Sequence, residues 1–245
     1  RRGLTLVVLG MVYNGLFKLD FENLRIASVL GRIGLAWSIA AVLYLNFGVK
    51  TRAAIAVAVL AGYGALSALV AAPDAAGAGP LTFEGNLAGY IDRQFLPGKL
   101  IYGSFDPEGL LSTVPAVVTA MLGMFTGEFV RRGDIRGGRK TLWMAAAAAA
   151  LLAAGLAFSG VLPVNKKLWS STFVCVVGAY SLGMFALFYY LIDVRGWRRW
   201  TLFFRVVGLN SITIYLAQRI VGFGRISDFF LGGIASKCPE AVAAV

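Results

Sequence analysis

Ser170–Ile192 reads SSTFVCVVGAYSLGMFALFYYLI, an apolar stretch of 23 residues without a charged side chain. A bilayer hydrocarbon core about 30 Å thick takes roughly 20 apolar residues in a helix, so this stretch is long enough to cross a membrane. Its apolar residues are continuous and do not alternate with polar ones, which favours a helix over a strand of a membrane barrel. The stretch therefore predicts a membrane-spanning helix.

Similar stretches recur along the chain, and by the same criterion we predict about seven spans in an all-α, polytopic transmembrane helical bundle. In order, the predicted spans are Leu4–Phe17, Ile26–Phe47, Ala53–Ala72, Leu110–Val130, Leu142–Leu162, Ser170–Ile192 and Leu202–Phe223. We treat residues 1–245 as a single integral-membrane domain. The abrupt apolar start and the weak tail lead us to expect that this domain is incomplete.

The composition excludes a water-soluble protein of this size. Hydrophobic residues make up 58% of the chain and charged residues 14%, with a mean hydropathy of +0.75, whereas soluble domains carry about 25% charged residues. The net charge of +11 would suggest nucleic acid in a soluble protein, but the chain has no aromatic and basic platform for it. We therefore expect the lipid bilayer, and not nucleic acid, as a partner.

The joints between the spans predict the orientation, because short cytoplasmic loops are enriched in Lys and Arg. One set of alternate joints carries twelve such residues: Arg1, Arg2, Lys50, Arg52, Arg131, Arg132, Arg136, Arg139, Lys140, Arg195, Arg198 and Arg199. The opposite set carries six: Lys18, Arg25, Arg93, Lys99, Lys166 and Lys167. The first set is therefore predicted to face the cytoplasm.

The residue types exclude several chemistries. Because the chain has no histidine, it supplies no Ser-His-Asp triad, no His metal site and no imidazole base, and we expect no metal. It also lacks a phosphate loop of the Gly-x-x-x-x-Gly-Lys type. Its two cysteines, Cys175 and Cys238, are expected to be free thiols.

Two arginines stand at the start of the second span. Arg25 and Arg32 are seven residues apart, a spacing that predicts one helical face, and Arg32 lies inside the apolar run. A cation placed among apolar residues must be paired or line a cavity. Arg32 either pairs with a neighbouring helix or, together with Arg25, forms a cationic lining for a phosphate or carboxylate. The residues leave both interpretations open.

The joint over 73–109 is long and is predicted to be ordered on the non-cytoplasmic side. Asp92 and Arg93 lie beside apolar residues with helix-like spacing, which predicts a short interfacial helix. These apolar residues are Leu87, Tyr90, Ile91, Phe95 and Leu96.

The same joint ends on the tripeptide Asp106-Pro107-Glu108. Asp is a favoured N-cap, Pro a favoured first helical residue, and an early Glu suits the positive end of the helix dipole, so the tripeptide predicts a helix start. Asp106 or Glu108 would equally suit a general base that deprotonates or orients an amine or hydroxyl. The residues alone do not decide between these two uses.

A polar turn precedes the sixth span and contains Asn165, Lys166, Lys167 and Trp169. An N-cap followed by an interfacial Trp explains most of it. Two lysines on the side where positive charge is disfavoured remain unexplained, so we expect an acidic partner for them. The candidates are Asp92, Asp106, Glu108 or a ligand.

The last predicted span carries a polar stripe. Asn210 and Ser211 lie near its middle, and Ser211, Tyr215 and Gln218 follow the i, i+4, i+7 spacing of one helical face. Such a stripe must face protein or water. Hydrogen bonding between helices is its ordinary use in lipid, and lining a polar path is the alternative.

Five segments, in this order, resemble signature segments of the heparan-α-glucosaminide N-acetyltransferase family and its bacterial relatives. They are RIASVLGRIG at 25–34, GYIDR at 89–93, FDPEG at 105–109, LPVNKKLW at 162–169 and NSITIY at 210–215. Each lies at a membrane boundary or on the polar stripe. The family usually shows Pro-Gly and Gln where this chain has Ala27-Ser28 and Gly31.

The resemblance implies a transmembrane acyltransferase that moves an acetyl group from cytoplasmic acetyl-CoA to the amine of a glucosamine-type sugar or glycan on the other side. The bacterial relatives imply an integral protein of the inner (plasma) membrane, and a homo-oligomer is left open. A histidine near the family's first transmembrane helices is the implied catalytic residue. This chain has none and starts like the family's third helix, so we expect it to be inactive by itself.

The resemblance and the residue types together suggest roles. Asp106 and Glu108 are the predicted catalytic residues, which orient or deprotonate the amine. Arg25 and Arg32 are the predicted contacts of acetyl-CoA. The acceptor is expected to contact Asp92, Arg93, Asn165, Lys166, Trp169, Asn210, Ser211 and Tyr215.

A transporter or flippase for an anionic or sugar-containing solute is the alternative function, because intramembrane arginines and a midplane polar stripe also suit a translocation path. No inverted repeat relates the two halves of the chain, so the enzyme is preferred. A non-catalytic membrane scaffold would leave the polar clusters unexplained.

Overall fold

A computed structural model describes residues 1–75 and 77–221. Within them the regular structure is helical, apart from two isolated bridges that pair Arg25 with Gly98 and Ala71 with Asn86. Short 3₁₀ and π segments cover Leu16–Lys18 and Tyr190–Val194. The α-helices are α1 (Arg2–Tyr13), α2 (Val29–Asn46), α3 (Val49–Leu69), α4 (Leu87–Phe95), α5 (Leu110–Arg131), α6 (Gly137–Ala157), α7 (Ser171–Tyr189), α8 (Thr201–Leu209) and α9 (Ser211–Ile220).

Five helices of the described residues are long and apolar enough to cross a membrane, namely α2, α3, α5, α6 and α7 with its π continuation. The helical membrane bundle is thus confirmed, whereas the count of about seven spans is not. The first predicted span is a helix of only 12 residues. The last predicted span is divided at Asn210 into α8 and α9, and its predicted end at Phe223 lies outside the described residues.

Large apolar side chains cover the outer faces of these helices. On α2, for example, Ile33 and Trp37 are 50% and 41% exposed, and on α6 Leu142 is 69% exposed. Such surfaces are unfavourable in water and suit lipid chains. The fold is therefore that of an integral membrane protein.

Polar side chains set the starts of three helices. The Ser28 hydroxyl accepts from the Gly31 N–H at 2.9 Å and begins α2. In the same way Asn86 begins α4 and Ser170 begins α7, each accepting from the N–H three residues on. Each cap satisfies a backbone donor that the first helical turn leaves free. The interfacial helix predicted within 73–109 is confirmed as α4.

The core of the bundle is built from small and branched side chains of α2, α3, α5 and α7. Small residues let helix backbones approach closely, which is the main source of packing energy between helices in lipid. The buried cluster consists of Ala36, Ala40, Ala56, Ala116, Val117, Val118, Met121 and Val174.

The chain divides into two compact units, Arg1–Gly196 and Trp197–Val245. Within the first unit, the three joints predicted on the non-cytoplasmic side meet at one end of the bundle. Arg25 of the first joint contacts Asp106 of the second, and the third joint approaches through Leu168, whose carbonyl accepts from the Tyr63 hydroxyl. An ion pair between buried Arg52 and half-buried Glu128, at 2.9 Å, lies at the other end of α3 and α5.

Candidate active site

Asp106 is the centre of a charged cluster between the first two joints. Its carboxylate is fully buried and accepts from Arg25 Nε and Nη2, both at 2.6 Å. It also accepts from the backbone N–H groups of Ile101 at 3.3 Å and Glu108 at 3.0 Å. The predicted N-cap role of Asp106 is wrong, because Gly109 is the N-cap of α5. The Asp106 carboxylate instead pairs with Arg25, and both of its oxygens already accept hydrogen bonds.

Asp92 performs the capping that was predicted for Asp106, and it does so from another helix. It lies on α4, is fully buried, and accepts from the Leu110 N–H at 2.9 Å and from the Asp106 N–H at 3.3 Å. Leu110 is the first residue of α5, so the carboxylate lies at the positive end of that helix. Asp92 therefore joins α4, the loop and α5.

Arg25 does not share a helical face with Arg32, which corrects the prediction from their spacing. The helix α2 begins only at Val29, and Arg25 lies in extended backbone bridged to Gly98. From there its guanidinium reaches Asp106 in a bidentate pair and also bonds Glu108. Bidentate pairing of this kind is both strong and directional. Arg25 thus holds the two carboxylates together.

Arg32 is buried with only part of its hydrogen-bonding capacity used. Its Nη2 donates to the Ser112 hydroxyl at 2.6 Å, and its guanidinium carbon lies 4.6 Å from the centre of the Trp169 ring. The remaining donors, Nε and Nη1, are buried and have no partner among the described residues. Unsatisfied buried donors of a charged group are costly, so they mark a place where a ligand or water is bound.

Arg32 lines a cavity of about 450 Å³ inside the first unit. Ser28, Glu108 and Thr113 are the other wall residues with polar side chains, and the rest of the wall is apolar or glycine. The Glu108 side chain remains 17% exposed, whereas Asp106 is sealed. Of the two predicted catalytic carboxylates, Glu108 is therefore the one that reaches the cavity.

Trp169 supports Arg32 from the third joint. Its backbone φ of +51° lies in the left-handed region, which is unusual for a bulky residue and costs free energy. In this conformation the indole lies against the guanidinium, and its Nε1 donates to Thr119 at 3.3 Å. Strain of this kind is concentrated at functional sites.

Arg93 links residues within the long joint over 73–109. Its Nε and Nη2 pair with the Asp74 carboxylate at 2.9 and 2.7 Å, and its Nη1 donates to the Ser104 carbonyl. This hydrogen bonding to Arg93 is the largest cause that lowers the pKa of Asp74. The predicted contact of Arg93 with the acceptor stays a prediction, since the donors described here hold the loop.

The polar turn at 163–170 is internally bonded. The side-chain Oδ1 of Asn165 accepts from the Lys167 and Leu168 N–H groups at 2.8 and 3.3 Å. The Lys167 ammonium lies over the rings of Phe83 and Tyr102, at 4.9 and 4.5 Å from their centres. An acidic protein partner for Lys166 or Lys167 is not confirmed among the described residues. Cation–π contacts partly replace it for Lys167.

Asn210, Ser211 and Tyr215 belong to the second unit. The side-chain amide of Asn210 donates to the Val206 carbonyl at 2.8 Å. Asn210 is the residue between the end of α8 and the start of α9. Ser211 is the first residue of α9. Their predicted contact with the acceptor stays a prediction.

Sequence reasoning missed two polar residues of the site, Ser112 and Thr119. Ser112 accepts from Arg32 and donates to the Pro107 carbonyl at 2.8 Å, and Thr119 accepts from Trp169. Both are hydroxyls on the buried side of α5 that can also bond their own helix. Ser112 belongs to the site because it accepts from Arg32, which lies 80 residues away in the sequence. The sequence of α5 by itself does not indicate that contact.

The buried position of Asp92 predicts a dependence of stability on pH. The helix α4 lies outside the membrane-length helices, and burial raises the pKa of Asp92 to about 6, against about 3.9 in an unfolded chain. Between these values the folded state binds more protons, so the free energy of unfolding falls as the pH rises from about 4 to about 6.

We expect Asp92→Asn to remove this fall, which is on the order of 2 kcal/mol. Unfolding of the detergent-solubilised protein, followed at several values between pH 4 and pH 7, measures it. Parallel pH profiles for the wild type and the variant would show that Asp92 does not titrate in this window.

Gly109 leaves room for the Asp92 carboxylate. A Cβ at this position would lie 2.0 Å from Asp92 Oδ2 and 2.3 Å from Oδ1, so Gly109→Ala has to expel the carboxylate from the two N–H groups it accepts. We expect a loss of about 2–4 kcal/mol in the free energy of unfolding, from overpacking and lost hydrogen bonds.

The matched control is Gly123→Ala in the same helix, where a Cβ meets nothing within 4 Å. This control should be neutral or up to about 1 kcal/mol stabilising, because Ala is the better helix former. The midpoints of thermal unfolding of the two variants measure the difference in stability. Equal midpoints would contradict the close packing of Gly109 against Asp92.

The chemistry available at the site is that of carboxylates, guanidinium groups and hydroxyls. Among residues 1–75 and 77–221 no group of His, Cys, Asp or Glu side chains is arranged to hold a metal ion. A carboxylate that reaches a cavity, beside free donors of a buried cation, can accept a proton and stabilise a developing negative charge.

Comparison with known proteins gives two significant relatives. Human heparan-alpha-glucosaminide N-acetyltransferase is 31% identical over 157 residues, which cover 56% of this chain and 23% of the human protein. The mouse protein of the same name is 30% identical over 155 residues, which cover 56% of this chain and 24% of the mouse protein. This chain thus spans about a quarter of the length of these relatives. No protein-family model matches it.

Proposed function

We propose that this chain, as a relative of the heparan-α-glucosaminide N-acetyltransferases, forms the acceptor-side part of a transmembrane N-acetyltransferase. Its reaction transfers an acetyl group from acetyl-CoA to the amine of a glucosamine-type sugar. The observation that carries the proposal is the cavity shared by Glu108 and the two unpartnered donors of Arg32.

Acyl transfer to an amine needs a neutral amine and donors for the carbonyl oxygen of the acyl group. Acetyl-CoA, when bound, supplies the thioester carbonyl. The residues present fit this need, since Arg32 Nε–H and Nη1–H are buried, uncommitted and at the cavity wall. We assign to them the binding of the carbonyl oxygen, where negative charge develops as the amine attacks.

Glu108 is the proposed general base. Its carboxylate would accept a proton from the acceptor ammonium group and leave the neutral amine to attack the carbonyl carbon. The carbon–sulfur bond of the thioester would then break, and CoA would leave as the thiol with the second proton of the amine. The net charge of the cluster supports this role: among the described residues it combines three carboxylates, Asp92, Asp106 and Glu108, with the two guanidinium groups of Arg25 and Arg32, so the ionised cluster is net negative and attracts a cation.

Asp106, Asp92 and Arg25 act as positioning residues in this proposal. Asp106 fixes the Arg25 guanidinium, which in turn bonds Glu108. Asp92 fixes the start of α5, two residues after Glu108. A base must be held within a fraction of an ångström to be efficient, and these contacts provide that rigidity.

The distribution of Lys and Arg assigns the two faces of the membrane in this proposal. The end that holds the Arg52 and Glu128 pair carries the larger share of basic residues and is taken as cytoplasmic. The end that holds Glu108 is then the acceptor side.

Proteoliposomes test the proposal directly. We expect labelled acetyl groups from external acetyl-CoA to appear on glucosamine that is trapped inside the vesicles, in those molecules whose basic end faces out. Entry of glucosamine or another solute without acetylation would favour the transporter. Absence of both acetylation and transport, by the protein carrying all segments of its relatives, would overturn the proposal.

A further inference from the structure

The cavity at Arg32 and Glu108 continues as an apolar groove into the membrane. Six of its wall residues are successive side chains of two helices, namely Leu35, Ile39 and Leu43 of α2 and Val114, Val117 and Met121 of α5. Val7 of α1, Ile55 and Val59 of α3 and Leu96 also belong to the apolar wall. Leu35, Ile39 and Val114 are still 45%, 47% and 40% exposed, so the groove is open along one side.

The groove is elongated along α2. From Gly31 to Leu43, both of which line it, the helix rises about 18 Å, more than half of a hydrocarbon core about 30 Å thick. Its volume of about 450 Å³ extends along this length, so an extended, flexible chain can follow it.

The wall chemistry decides what kind of chain fits. Apart from the polar end at Ser28, Arg32, Glu108 and Thr113, every residue that lines the groove is apolar or a glycine. Burying an amide or a hydroxyl without a partner costs about 1–3 kcal/mol. An amide-containing arm is therefore disfavoured along the groove, whereas each buried methylene is favourable.

We propose that the acceptor of this site is an amphiphile, an amino sugar carried on a long hydrocarbon chain. Its amine lies at the Glu108 carboxylate, by charge complementarity, and its chain occupies the groove between α2 and α5. The inference rests on the proposed function and specifies its substrate class. The open side of the groove lets such a chain enter laterally from the bilayer.

Acceptors of graded chain length test the inference on the protein in proteoliposomes. Methyl, octyl and dodecyl glucosaminides share one amine and differ only in the alkyl group. Each methylene that enters the groove should lower KM about three- to fourfold, so we expect KM for the octyl compound to be at least a hundredfold lower than for the methyl compound, with kcat little changed.

Partition of long acceptors into the bilayer also lowers the apparent KM, and two variants separate the effects. Ile39→Trp blocks the groove at its middle and should abolish the gain from chain length. Ile33→Trp is the matched control, because Ile33 lies on the same helix, is 50% exposed and lies outside the groove wall. It should keep the gain.

The outcomes are distinct. Acetylation of all three acceptors with KM values within about threefold, or an equal gain in both Trp variants, overturns the hydrocarbon-chain acceptor and leaves the acetyltransferase standing. Acetylation of none of them overturns the proposed function itself. A phospholipid that copurifies with the wild type and Ile33→Trp but not with Ile39→Trp, without any gain from chain length, would show a structural lipid in the groove and overturn the inference.

Discussion

Glu108→Gln, in the protein that carries all segments of its relatives, is expected to lower kcat for acetyl transfer by about 10²–10⁴-fold. The amide keeps the size of the side chain but cannot accept the proton of the acceptor ammonium group. The residual rate should rise with pH more steeply than that of the wild type, because the amine then has to lose its proton to solvent. Initial rates measured over a range of pH report both effects.

Glu84→Gln is the matched control, since Glu84 is an exposed carboxylate of the same joint. It should keep the wild-type rate and pH profile. The fold of Glu108→Gln should survive, because Arg25 keeps its bidentate pair with Asp106 and the side-chain carbonyl of a glutamine can still accept from Arg25. Wild-type turnover by Glu108→Gln would remove Glu108 from the chemistry.

Asp106→Asn is expected to destabilise the protein by about 3–5 kcal/mol. The new amide nitrogen would face the Arg25 donors, and the guanidinium would lose its buried counter-charge. The two backbone N–H groups that Asp106 accepts would lose an ionised partner as well. Thermal or denaturant unfolding in one fixed detergent measures the loss.

Asp134→Asn provides the comparison on an exposed pair of the same type. Asp134 accepts from Arg132 Nε and Nη2 at 3.1 and 2.7 Å, but both side chains are more than half exposed. Its replacement should cost no more than about 1 kcal/mol. Equal losses for the two variants would contradict the buried role of Asp106, and partial recovery in Arg25→Gln with Asp106→Asn would confirm the coupling of the two residues.

Several features of the fold were predictable because they depend on local composition. The predicted span Leu110–Val130 differs from α5 by one residue, and the resemblance to the N-acetyltransferase family is confirmed by the human and mouse relatives, each of which matches 56% of the chain. A membrane-spanning helix needs about 20 consecutive apolar residues, so such a helix can be recognised from the local sequence. Asn210 shows the limit, because one polar residue divides a predicted span in two.

The candidate site was predictable in its residue types and not in its pairing. Asp106 satisfied every local criterion for an N-cap, yet Asp92 of another helix caps α5. Arg25 and Arg32 matched a helical spacing, yet α2 begins between them. Each of these outcomes depends on a partner far away in sequence, and no local pattern carries that information.

The sequence by itself determined that this protein lies in a membrane as a helical bundle, which joints share an end, and which charged residues had to find partners there. The physical reason is that transfer to lipid is decided residue by residue by hydration. Tertiary structure alone decided that Asp106 is sealed by Arg25 while Glu108 and the donors of Arg32 reach a common cavity. That division is set by how three joints and four helices pack, because burial and pairing of a charge depend on groups brought together only by the fold.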